Sequence, residues 1–343
     1  MERRNVHELI LMAAIFLVIS ALVFSAGKAE EYPKKSIDLI VFSSAGGGTD
    51  VVARHMAAQM EKILGQKILV SNQPAAGGVA AMETVWQKPR DGYTLLGCAI
   101  PVTLFKVNGM TKYGMEEWEF YLASGSSGVI AVKADSPYKS IQDFVRAAAA
   151  KPGEIKISNS GKGKNWHMKS AMLEKVAGVQ FKHLPYAGSN PAILSVLSNE
   201  SDAVSASVQE VSEHVKAGKL RILITTEDKR IGFAEFSNVP SITELYPAAS
   251  KYFPSFQWLG FAVPADTPER IRKTLGEAFM KVMNSPETDT FYKGQYLEKI
   301  ALWGEAAKKY VVDMQSILSW MAFDLGVAAN DPTALKIPRP AGW

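Results

Sequence analysis

The sequence is short of cysteine. One residue, Cys98, stands in 343, so no internal disulfide forms and a small cystine-stapled scaffold is excluded. Cys98 lies in an apolar run that reads as a strand, which makes it a buried small side chain. Histidine is also scarce, with five residues. The four beyond the N-terminal segment (His55, His167, His183 and His214) have no metal-site spacing, and one cysteine cannot build a zinc cluster. No metal or other cofactor is expected. Long basic runs are absent and charges of both signs are interspersed, so nucleic acid is not an expected partner. The motifs of common enzymes fail as well. Gly46-Gly47-Gly48 does not extend to a dinucleotide fingerprint, because Val51 takes the last position. Ser158 and Asn165 break the P-loop pattern around Gly163-Lys164. There is no nucleophile elbow and no zincin helix.

One long hydrophobic run is present, Leu9 to Phe24, behind Arg3 and Arg4. At 16 residues it is short of the roughly 20 that span a bilayer. Gly27-Lys28-Ala29 follows it and suits signal peptidase, with cleavage before Glu30. Residues 1–29 are therefore expected to be a signal peptide, the alternative being an uncleaved N-terminal anchor. The expected location is the periplasm. Without residues 1–29 the net charge is near +3, and the remaining length exceeds what one core commonly serves, so two lobes are expected.

Short apolar runs alternate with helical patterns, the mark of α/β architecture. Ile37–Phe42, Lys67–Val70, Tyr93–Cys98, Ile155–Ser158, Phe181–Leu184, Asp202–Ser205, Leu220–Thr225 and Leu259–Val263 read as strands. Val52, Met56, Met60 and Ile63 form one helical stripe that Gly65 closes. Ser140 with Asp143 makes a capping pair, Asn165 is placed to cap a helix, and Asn190-Pro191 opens another. The chain passes between lobes near Gly125–Val132 and again near Gln257–Phe261. Lobe 1 is thus expected over 30–128 and 258–343, with lobe 2 inserted over 129–257.

A strand, a small-residue loop and a helix start recur at Ser43–Asp50, Ala75–Gly78, Ser158–Asn165 and Tyr186–Asn190. Helix starts present unpaired N–H groups and partial positive charge, and glycine lets a ligand approach the backbone. Several such ends facing one cleft would bind an anion.

The order and spacing of these segments resemble the solute-binding component of tripartite tricarboxylate transporters, the Bug-type periplasmic proteins. The matching residues are Ala45-Gly46-Gly47-Gly48-Thr49-Asp50 with Arg54, Asn72-Gln73-Pro74-Ala75-Ala76-Gly77-Gly78, and Asp91-Gly92-Tyr93-Thr94-Leu95. They continue with Ser160-Gly161-Lys162-Gly163 and His167, His183-Leu184-Pro185-Tyr186-Ala187-Gly188, and Ala217-Gly218-Lys219-Leu220-Arg221. The likeness covers about residues 32 to 320. It implies a type II periplasmic-binding-protein fold: two α/β lobes joined by a two-strand hinge, with the ligand cleft between them. It implies capture of a small organic anion for a membrane transporter, and no catalysis. The ligand would be a mono- or dicarboxylate or an aromatic acid, the partners the transporter's membrane subunits, and the receptor a monomer. Carried over by position, the ligand-binding residues are Phe42, Ser43, Ala45, Gly46, Thr49, Asp50, Ala76 and Gly77 from the first lobe. The second lobe supplies Ser158, Ser160, Lys164, Asn165, Trp166, His167, Tyr186, Gly188 and Ser205.

The sequence departs from its relatives at Lys164, where a small residue is the rule, at the bulky Trp166, at Ser43-Ser44, and at Ser198–Ser201. These bear on the ligand more than on the fold. Taken singly, Asp50 reads first as a helix cap or dipole partner, with Arg54 pairing to it, and Trp258 and Trp303 as packing. Two other functions stay open on the residues alone. A sensing protein for a membrane receptor would use the same closure. A secreted hydrolase would need Ser160 with His167, without an orienting third group.

Overall fold

The computed structural model describes residues 32–340. The signal-peptide expectation and the last three residues lie outside them. Residues 35–340, the described part of the larger of two compact units, hold every element below. In chain order the strands are β1 (Ile37–Val41), β2 (Ile68–Asn72), β3 (Thr94–Ala99), β4 (Trp118–Ser126), β5 (Gly128–Lys133), β6 (Lys156–Asn159), β7 (Lys182–Pro185), β8 (Ala203–Ser207), β9 (Leu220–Thr225), β10 (Gln257–Pro264) and β11 (Glu298–Trp303). The main helices are α1 (Gly48–Leu64), α2 (Val79–Trp86), α3 (Ile141–Ala150), α4 (Asn165–Ala177), α5 (Ser189–Leu197), α6 (Val208–Lys216), α7 (Glu269–Met283), α8 (Pro286–Gly294) and α9 (Gly304–Asp324).

The strands form two sheets. The first has the order β11-β4-β10-β3-β1-β2 and the second β7-β6-β8-β5-β9. β1 runs parallel to β2 and β3, and β6 parallel to β7 and β8. β10 is antiparallel to β3 and β4, as β5 is to β8 and β9. The chain leaves the first sheet at Ser126 and enters the second at Gly128, with only Ser127 between. It returns at Gln257, the first residue of β10.

Local chemistry explains the elements. In α1, Val52, Met56 and Met60 are buried on one stripe, each worth roughly 1.5–3 kcal/mol of apolar burial. Ile63, the fourth expected member, lies in the last turn of the helix and is 39% exposed instead. Gly65 ends the helix in the left-handed conformation, its N–H returning to the Glu61 carbonyl. The expected Ser140–Asp143 capping box at α3 is formed. Asn165 does not cap α4. Lys164 occupies the cap position with extended backbone, and Asn165 is the first helical residue.

The first sheet is packed by aromatic rings. Trp258 meets Phe120 edge-on at 5.6 Å, and Tyr121 stacks between Phe261 and Trp303. Behind the second sheet lies an aliphatic cluster in which Val129, Val204 and Ile222 meet Ile193 and Val196 of α5 and Val211 of α6. Cys98 is fully buried. No helix among the described residues is long and apolar enough to cross a membrane.

Candidate functional site

The loops that follow β1, β6 and β7 converge on a cavity of about 60 Å³. They leave the carboxyl ends of parallel strands, the position at which open α/β sheets bind ligands. Each runs directly into a helix, so the cavity receives the N-termini of α1, α4 and α5. The residues at these cap positions are Gly47, Lys164 and Gly188, and none supplies a side-chain cap. Serine caps α3 at Ser140, α6 at Ser207 and α8 at Ser285, whereas α2, α7 and α9 also start without a side-chain cap, away from this cavity. Leading N–H groups and three helix dipoles are thus directed to one place.

Of the residues expected from sequence, Phe42, Ser43, Ala45, Thr49, Ser160, Lys164, Trp166 and Gly188 line this cavity. Ala76, Gly77 and Tyr186 line an adjoining open recess of about 620 Å³. Lys164 and Ala187 border both spaces, so the fourth small-residue loop also joins the site. The Lys164 ammonium has no ion-pair partner among the described residues, and burial pushes its pKa down.

The remaining expected residues stand behind the wall. Asp50 is buried. Its Oδ2 accepts from Gly46 N (2.9 Å) and Arg54 Nε (3.0 Å), and its Oδ1 from Asn72 Nδ2 (2.9 Å). The same Asn72 amide donates to the Ser43 carbonyl, and Arg54 donates to Asn72 Oδ1. Burial alone would raise the Asp50 carboxyl, yet the bonds from Arg54, Gly46 and Asn72 outweigh it and hold the pKa below the usual range. Asp50 is therefore a brace of the first loop, as the Arg54 spacing suggested. Gly46 belongs to that brace.

His167 accepts the Gly163 N–H on Nδ1 at 3.0 Å and meets the ring of His183 edge-on. Burial, with His183 and Lys162 nearby, takes its pKa down to about 4. The nitrogen facing the loop is thus engaged in shaping it rather than in activating Ser160. Ser158 donates to the Ala192 and Ala203 carbonyls, tying β6 to α5 and β8. Asn165 and Ser205 are buried with side-chain polar atoms that have no partner among the described residues. Neither borders the cavity.

Sequence reasoning missed Ala99, Pro101, Glu210 and Gln257, which also line the wall. Glu210 carried a signal: Ser207-x-x-Glu210 is a capping box, and it forms. Its Oε2 accepts from Ser207 N and Oγ, and its Oε1 lies 3.4 Å from Gly48 N at the start of α1. Ser44 Oγ donates to the Ala187 carbonyl at 3.0 Å. These two contacts link the β1–α1 loop to elements of the second sheet.

A glycine is required at Gly78, which opens α2 with φ of +101°. A Cβ there would stand 2.6 Å from both the Phe42 ring and the Phe42 carbonyl oxygen.

Residues 52–316 match the family described as "Tripartite tricarboxylate transporter family receptor". The chain belongs to that family. It is a solute-binding receptor of the tripartite tricarboxylate type. A relative from Cupriavidus necator, described as "UPF0065 protein in gbd 5'region", is 33% identical over 295 residues, covering 83% of this chain and 86% of its own. Among solved structures, a TctC solute binding protein from Polaromonas has 29% identity and a TM-score of 0.64, over 85% of this chain and 99% of that one. An R. palustris protein solved with adipate shares the fold at a TM-score of 0.80 and 21% identity, over 87% and 99% of the two chains.

Proposed function

We propose that this receptor captures an organic anion by its carboxylate outside the cytoplasmic membrane and presents it to the membrane subunits of a tripartite transporter. The observation that carries the reading is the convergence on one cavity of three helix N-termini without side-chain caps and the Lys164 ammonium, which has no ion-pair partner among the described residues. Such a site neutralises a carboxylate with backbone N–H groups and one lysine. The cavity has room for about four to six waters, enough for a carboxylate and a few further atoms. The recess beyond Lys164, walled by Pro74, Ala76 and Met110, receives the rest of a longer or aromatic acid. The R. palustris neighbour with adipate is in keeping with a ligand of this class.

The two-sheet arrangement supports a division into two working parts. In this reading the described residues up to 128 and from 258 onward act as one lobe and 129–257 as the inserted second, with closure about the two chain crossings. The receptor acts as a monomer in the periplasm, after removal of residues 1–29, and binds without transforming its ligand. A thermal-shift screen of organic acids, followed by calorimetry on the hits, tests the reading. A carboxylate at a hundred times its Kd should stabilise the folded state by about 2.7 kcal/mol. Scattering should show a smaller radius of gyration on binding. Response to neutral solutes alone would overturn it.

A further inference from the structure

Glu210 places a fixed carboxylate in the cavity, at the start of α1. Capping of α6 occupies only one of its oxygens: Oε2 accepts from Ser207 N at 3.0 Å and Ser207 Oγ at 2.8 Å. The other oxygen, Oε1, stands 3.4 Å from Gly48 N, at the long end of hydrogen bonding, so it keeps capacity for a stronger donor. Gln257, only 7% exposed, lies on the same wall with its Oε1 lacking a hydrogen-bond partner among the described residues. The cavity therefore holds a cation at Lys164 and hydrogen-bond acceptors, one of them anionic, at Glu210 and Gln257. An unsubstituted acid satisfies the first and offers nothing to the second. A second carboxylate brought beside Glu210 would meet a like charge.

We propose that Glu210 selects carboxylates that also carry a hydrogen-bond donor, a hydroxyl or an ammonium group. The ligand's acid group lies toward Lys164 and the helix starts, and its donor meets Glu210 Oε1. This rests on the carboxylate reading above and names the substrate class within it.

Calorimetry with matched acids tests it: succinate, malate and aspartate, then adipate and 2-aminoadipate. Within each set the chain length is constant and only the donor changes. The natural protein should prefer the substituted members by about tenfold or more, the scale of a hydrogen bond to a charged group. Glu210→Gln keeps the capping box, and its melting temperature verifies the fold. It should erase most of the preference for ammonium and bind the unsubstituted acids more tightly than the natural protein does. Equal affinity for substituted and unsubstituted acids, or a preference that Glu210→Gln leaves intact, overturns donor selection while carboxylate capture stands. Failure of all five acids to bind either protein overturns both readings.

Discussion

The Nζ of Lys169 lies 2.9 Å from Oε2 of Glu227, with Lys169 fully enclosed and Glu227 nearly so. The pair sits beside both chain crossings. Glu227 Oε1 accepts from Gly128 N at 2.9 Å, where β5 begins, and Lys169 also donates to Ser255 Oγ at 2.9 Å, just before β10. Lys169 belongs to α4, one turn beyond Lys164 and Trp166. Burial pushes the Lys169 ammonium down and the Glu227 carboxyl up, each toward its neutral form, while their mutual attraction opposes this. The pair thus fixes the helix that carries the site to both strands of the crossing.

Removing one member strands the other in the interior. Lys169→Met or Glu227→Leu should each destabilise the protein by about 3–5 kcal/mol, and the double substitution should cost less than either single change. Urea unfolding of the three variants checks this. Additive losses would show that the two charges do not depend on each other.

Lys164→Ala should weaken carboxylate binding by about 1.5–3 kcal/mol while leaving the melting temperature of the free protein near its natural value. The side chain makes no ion pair within the described chain, so folding loses little. Its loss should also weaken a dianion more than the matching monoanion. Calorimetry at two salt concentrations measures this, and unchanged affinities would remove the lysine from the site.

His167 titrates near 4 when folded and near 6.5 when unfolded. Between these values the unfolded chain binds the extra proton, so stability rises with pH over this window and is complete above it. Acidification from about pH 6.5 to 4 should cost up to about 3 kcal/mol from this residue. Protonated Nδ1 can no longer accept the Gly163 N–H. His167→Asn, whose Oδ1 can accept the same proton without titrating, should flatten this part of the profile. Asp50, with its lowered pKa, contributes stability that is lost at lower pH still. Denaturation series from pH 4 to 8 compare the two proteins.

Gly78→Ala should destabilise the protein by about 2–4 kcal/mol, combining left-handed strain with overpacking against Phe42. Because Phe42 borders the cavity, the variant should also bind carboxylates more weakly. Thermal melts with and without ligand separate the two effects. Gly65→Ala supplies the comparison, since a Cβ at Gly65 meets nothing within 4 Å and strain acts alone.

The sequence by itself determined the local order of this protein. Period-two and period-3.6 patterns placed strands and helices, because burial of one face writes itself into neighbouring residues. Small-residue loops marked the helix starts, since only such loops bring ligand and backbone together. The Asp50–Arg54 pair was legible because one helical turn separates them. Tertiary structure decided what distance along the chain conceals. Strands β4 and β11 carry little periodic signal, as β4 is buried on both faces and β11 breaks register at a bulge. Asp50 needed Asn72, 22 residues away, to become a brace. Glu210 reached the start of α1 from 162 residues away. Its capping box could be read in the sequence, whereas its second oxygen's place in the cavity depended on how the two sheets pack. Lys169 and Glu227, 58 residues apart, likewise become a buried pair only through the fold. A single residue's neighbours in sequence fix its backbone, but only the assembled sheets fix which polar groups lose their water.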